Sequence, residues 1–180
     1  MPDPDRKAAY ERDGITATSN PRRGTVRRVL GLAGFLGASA TVAALGGLAS
    51  AGGVDGWYQA AAKPPWTPPD AVFGPVWTIL YAGMAVAAWR VWDRYGWAGA
   101  RGALTTYGVQ LALNCAWSPV FFGAQQVGAG LAVILCLDAA ILATIIAFHR
   151  LDRAAAALLV PYLAWCLYAS TLNAGILVLN

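Results

Sequence analysis

GALTTYGVQLALNCAWSPVFFGAQQVGAGLAVILCL, residues 102–137, is the longest stretch of the chain without a charged side chain. An α-helix rises about 1.5 Å per residue, and about 20 apolar residues cross a hydrocarbon core of about 30 Å, so this run is too long for one crossing and calls for two. The point of division lies inside it. FFGAQQVGAG, residues 121–130, interrupts the apolar pattern with Gly123, Gln125, Gln126, Gly128 and Gly130, the residue types that end helices and turn chains. The run therefore divides into a span over about 104–122 and another over about 128–148.

Working outward from that break, charge-free apolar segments predict further spans over about 29–51, 71–92 and 156–179. The composition agrees: 58% of residues are hydrophobic, 12% are charged and the mean hydropathy is +0.50, against roughly 45–50% apolar and about 25% charged in soluble domains. The expectation is an all-α integral membrane bundle of five transmembrane helices over residues 29–180, preceded by a disordered basic tail over residues 1–28. A cleavable signal peptide is the rival for the first segment, since Arg22, Arg23, Arg27 and Arg28 precede it and ASA lies within it. The apolar stretch runs on past the usual length of such a signal, which favours a retained span.

Charge then orients the bundle. With the N-terminus inside, every one of the 13 Lys and Arg residues except Lys63 falls on the inner side, including Arg90, Arg94, Arg101, Arg150 and Arg153. That asymmetry is the one short cytoplasmic loops show, and it places the C-terminus outside. The net charge of +4 forms no stripe or groove, so no nucleic-acid partner is expected; the bilayer is the partner it fits. Cys115, Cys136 and Cys166 lie singly in three apolar runs, with no CxxC pair and no His/Cys set at metal spacing, so no metal is expected. Nor does any internal repeat suggest inverted transporter halves.

The loop between the first two predicted spans holds KPPWTPP, residues 63–69. Each proline fixes its own φ and disfavours helix in the residue before it, so the segment is extended and stiff. One reading is an interfacial turn, with Trp66 among headgroups and Lys63 reaching toward them. The other is a lid, made of Lys63, Pro64, Pro65, Trp66, Pro68 and Pro69, over a ligand cavity.

Three segments carry a family resemblance: DGWYQAAAKPPWTPPDAVFGPVWTILYAGMAVAAWRVW, QLALNCAWSPVFFGAQ and PYLAWCLYASTLN. They resemble, in order, the signature segments of the tryptophan-rich sensory protein and translocator protein family (TspO/MBR, the peripheral benzodiazepine receptor family), over about residues 30–180. The resemblance implies a five-helix bundle, often a homodimer, with a pocket under the first loop for porphyrins or haem-type tetrapyrroles, and in some members sterols or benzodiazepine-site ligands. No cofactor is required.

Matched to the family's motifs, Trp57 and Tyr58 stand at the loop start, Trp77 and Tyr81 in the second helix, Asn114, Trp117 and Ser118 in the third, and Trp165 and Ala169 in the fifth. The pairs at spacing four share a helical face. Aromatic faces suit a planar macrocycle, and Asn114 either orients the ligand or bonds across helices. The resemblance also raises light- and oxygen-dependent porphyrin degradation as an alternative function, with Trp57 and Trp165 as candidate catalytic residues. The segment STLNAGILVLN lacks the Tyr and the basic residue of the sterol pattern, so tetrapyrrole is preferred to sterol. A bacterial cell envelope is preferred to a mitochondrial outer membrane.

Outside the motifs, Asp138 is an acid within a predicted span, a functional hypothesis by default. Asn173 reads as packing glue, Trp89, Trp92 and Trp97 as interfacial belt residues, and Gly108 and Ala112 as a close-approach face. His149 reads as a solvated residue at the inner end of the fourth span.

Overall fold

Gly96 is the residue on which the chain reverses. It has φ 64° and ψ −178°, a backbone region open essentially to glycine alone, and Ala100 follows at φ −120°, ψ 16°. These residues divide a helical stretch running from Phe73 to Ser118 into two arms, about 73–95 and 101–118. Met84 meets Gln110, and Tyr81 meets Asn114, so the arms lie antiparallel about the bend.

The computed structural model describes residues 21–54 and 56–180, all helical or connecting. In chain order these are α1 (Pro21–Val54), the short α2 (Trp57–Ala60), a 3-10 turn (Asp70–Val72), the two-armed α3 (Phe73–Ser118), a wide π-type turn (Pro119–Gly123), α4 (Val127–His149) and α5 (Arg153–Leu179). Gly24–Ala51, Asp70–Gly123, Val127–His149 and Arg153–Leu179 are long and apolar enough to cross a membrane, and the second, at 54 residues, folds back at Gly96 to cross twice. The five expected spans are therefore present. The first begins earlier than expected: α1 starts at Pro21, so residues 21–28 are helical, because proline lacks only an N–H that has no partner in a helix's first turn. The rest of the expected tail, residues 1–20, lies outside the described residues.

Predicted break and observed break coincide near Gly123. There Ala124 N–H bonds Pro119 O at 2.8 Å, five residues back, and Gln125 takes a positive φ of 56° before α4 begins. The start of α5 is set by Asp152. Its carboxylate accepts from the N–H groups of Ala154 at 2.9 Å and Ala155 at 3.1 Å, so the helix opens at Arg153. The same carboxylate, 5% exposed, receives Arg90 at 3.0 Å and Arg94 at 3.5 Å from the first arm of α3. Burial alone would push its pKa up. The N–H groups of Ala155 and Ala154 and the Arg90 guanidinium outweigh that and hold it below the usual carboxylate range.

The core forms between α3, α4 and α5: Met84, Val91, Leu104 and Tyr107 meet Ile134, Leu137, Ile141 and Phe148 of α4 and Leu159, Tyr162 and Cys166 of α5. α1 packs more sparsely. Its buried described residues, Ser39, Gly46 and Gly53, recur every seven residues. They meet, in the same order, Tyr107, Ser118 and Phe122, so this part of α1 runs parallel to the second arm of α3. Trp92 is more than a belt residue: it packs so closely on Gly31 that a Cβ there would strike its ring.

Candidate functional site

Small residues on α1 leave a space that the aromatic face of α3 does not fill. Ala43, Gly46, Gly47 and Ser50 of α1 face Phe73, Gly74, Trp77, Thr78 and Tyr81 of the first arm of α3 and Asn114, Trp117 and Ser118 of the second. Trp165 and Ala169 of α5, Phe122 of the π-type turn, and Tyr58 and Asp70 of the first loop complete the lining of a cavity of about 390 Å³. That size lies within the range of small-molecule sites, and the lining is chiefly aromatic and apolar.

Of the residues expected from sequence to bind a ligand, all but Trp57 line this cavity. Trp57 lies beside it and acts as a strut: its Nε1–H donates to Phe122 O at 3.1 Å, and its ring lies 5.5 Å from Phe121. Gly53 lies directly under the same Phe122 carbonyl, where a Cβ would collide.

The proline segment, read from the sequence as either an interfacial turn or a lid, does not enter the lining. Among the described residues, the loop lines the cavity through Tyr58 and Asp70, and Lys63, Pro64, Pro65, Trp66, Pro68 and Pro69 stand outside the lining. They are fastened to α5. Asn180 grips the Ala62 peptide from both sides, accepting from its N–H at 3.0 Å and donating to its carbonyl at 3.0 Å. Tyr168 OH donates to Trp66 O at 2.6 Å, and Pro64 packs onto Gly175 where no Cβ would fit. Lys63 Nζ sits 4.8 Å from the Tyr58 ring centre and donates to Gln59 O at 3.2 Å.

The polar groups of the cavity form a short chain. Tyr81 OH donates to Asn114 Oδ1, and Asn114 Nδ2 donates to Tyr162 OH at 2.8 Å, so Asn114 bonds across helices while also facing the cavity. Trp165 lines the cavity with its ring, while its Nε1–H is buried away from accessible space with no hydrogen-bond partner among the described residues. At the mouth, burial raises the pKa of the Tyr58 hydroxyl, and the neighbouring Asp70 carboxylate and Tyr168 raise it further, so Tyr58 keeps its proton.

Asn173 is cross-helix glue, accepting from Trp117 Nε1 at 3.3 Å and donating to Val127 O at 2.9 Å. Asp138 lies outside the cavity lining; its Oδ2 accepts from Ser170 Oγ at 2.7 Å, which ties α4 to α5. His149 is exposed in the last turn of α4. The sequence reading missed the α1 lining, although the seven-residue recurrence of Ser39, Gly46 and Gly53 marks a packed face of which Gly46 also lines the cavity. It also missed Asp70, Phe73 and Gly74, which follow the last proline pair directly.

Comparison with known proteins gives one consistent result. Residues 35–179 match the model of the TspO/MBR family. The chain is 44% identical over 119 residues to a human translocator protein, covering 65% of this chain and 70% of that one. It is 41% identical over 135 residues to the tryptophan-rich protein TspO of Archaeoglobus fulgidus, covering 75% and 87%. Against a tryptophan-rich sensory protein of Cereibacter sphaeroides it is 42% identical over 142 residues, covering 77% and 88%.

Proposed function

The chain belongs to the TspO/MBR family of multi-pass membrane proteins, and from that premise we propose that it is a receptor or translocator that holds a porphyrin or related tetrapyrrole in the aromatic cavity beside loop 1. The observation that carries this reading is the lining itself. Trp77, Tyr81, Trp117 and Trp165 turn toward one apolar space. Flat ring systems gain from offset and edge-on contact with such side chains. Ala169 and the α1 glycines leave room where larger side chains would close the space.

Binding is preferred to porphyrin degradation because the two tryptophans proposed for that chemistry are not together in the cavity: Trp165 lines it and Trp57 is held beside it. The same reading takes the protein as a homodimer, with the exposed Gly108 and Ala112 of α3 as the contact face.

The test is fluorescence-quenching titration of detergent-purified protein with protoporphyrin IX, in darkness and under illumination. Saturable binding, weakened at least tenfold in the Trp77→Ala/Trp165→Ala double variant, is expected. Unchanged affinity in that variant overturns the assignment of the cavity. Light-driven turnover beyond one equivalent, lost in Trp165→Phe, replaces the receptor reading with the enzyme.

A further inference from the structure

Among the described residues lining the cavity, Asp70 is the one with a formal charge, and that charge is negative. Its Oδ2 accepts from Gln59 Nε2 at 3.0 Å, while Oδ1 accepts no hydrogen bond from the described residues. Lys63 is engaged by the Tyr58 ring and Gln59 O, and no ion pair joins Lys63 to Asp70 among the described residues. The Tyr58 hydroxyl, held protonated by burial and by Asp70 itself, adds no second charge to the lining.

We infer that Asp70 makes the cavity mouth a charge-reading subsite, which favours a flat ligand bearing a cationic or hydrogen-bond-donating substituent there and disfavours one that presents a carboxylate. This rests on reading the cavity as the ligand site and narrows the ligand class. A dicarboxylic porphyrin must keep its carboxylates away from Asp70, whereas an esterified or amine-bearing ring meets no such repulsion. Asp70 is exposed, so water and salt screen it, and the preference is of the order of tenfold.

The experiment separates this inference from the tetrapyrrole reading by using small planar probes. Pyrenemethylammonium, neutral pyrenemethanol and pyrenecarboxylate are titrated into the full chain in a non-ionic detergent, with protoporphyrin IX and its dimethyl ester in parallel. The ammonium probe is expected to bind about tenfold more tightly than the carboxylate, with pyrenemethanol between them. In Asp70→Asn the spread falls within about twofold, in Asp70→Lys it reverses, and in the wild type it shrinks with added salt. A wild-type spread of zero, a spread that survives Asp70→Asn, or failure of all three pyrenes to saturate overturns the inference. If the pyrenes behave as expected and neither porphyrin saturates, the mouth subsite stands and the tetrapyrrole reading fails.

Discussion

Asp152 supports two separable interactions, and two substitutions tell them apart. As the N-cap of α5 it accepts from Ala154 and Ala155 N–H, and as an anion it holds Arg90 at 3.0 Å and Arg94 at 3.5 Å. Loss of such a cap typically costs about 1 kcal/mol. The ion pair adds about 1 kcal/mol and not the several expected of a fully buried pair, because Arg90 and Arg94 keep 36% and 59% of their side-chain surface exposed and stay solvated when the partner goes. Asp152→Ala is therefore predicted to lose about 2 kcal/mol, and Asp152→Asn, which retains a good cap, about 1 kcal/mol.

For a chain of this length those losses correspond to a fall in melting temperature of roughly 4–8 °C and 2–4 °C, measured by thermal unfolding in one detergent. The pH dependence has a definite sign. Asp152 has its folded-state pKa held below the ordinary value, so its contribution is full above the unfolded carboxylate range, near about 4, and is lost as pH falls through the folded value. The gap between wild type and Asp152→Asn should close over that acid window and stay constant above it. Equal damage from the two substitutions would refute the capping role, and a gap that persists at acid pH would refute the ion pair.

Three other substitutions probe the fold and the site. Gly96→Ala forces a Cβ into glycine-only backbone space and should cost about 1–3 kcal/mol, read as a lowered melting temperature; an unchanged value would show that the α3 bend does not need glycine. Asn114→Ala leaves the Tyr81 and Tyr162 hydroxyls without their partner and should cost about 1–3 kcal/mol in the same assay, and wild-type stability would refute the chain. Gly175→Ala pushes against Pro64, and deuterium exchange should quicken in the peptide spanning residues 60–67 while the α4 peptides keep their protection. Unaltered exchange in that loop would mean that Gly175 does not hold it.

The five crossings were legible because charges and chain breaks mark them. The arginines at 90, 94, 101, 150 and 153 cluster at helix ends, and the Gly/Gln stretch after Phe122 divides a run too long for one crossing. The positions of the cavity aromatics were legible from motifs carried on helical faces. Less legible was what depends on tertiary contact. Nothing local distinguishes Trp57 from Tyr58, yet one bonds the Phe122 carbonyl and the other enters the lining. The early start of α5 was within reach, since Asp followed by an apolar run is a standard N-cap signal and Asp152 stands one residue before the helix. Asp138 shows the limit from the other side: its rarity in a span drew attention, but its Ser170 partner is 32 residues away in sequence.

The proline segment can now be understood through what it connects. Tyr58 and Asp70 line the cavity from the two ends of the loop, and the residues between them are fastened to α5 by the Asn180, Gly175 and Tyr168 contacts. Prolines restrict the free chain, so a fastened PP…PP segment loses less entropy on ordering than a Gly/Ser loop of equal length. Stiffness between two fixed ends holds Tyr58 and Asp70 at a set separation across the mouth, a separation that Gln59 also bridges through its bond to Asp70. The prolines thus act on the cavity without lining it: they set the spacing of the two polar groups that the loop contributes to its wall.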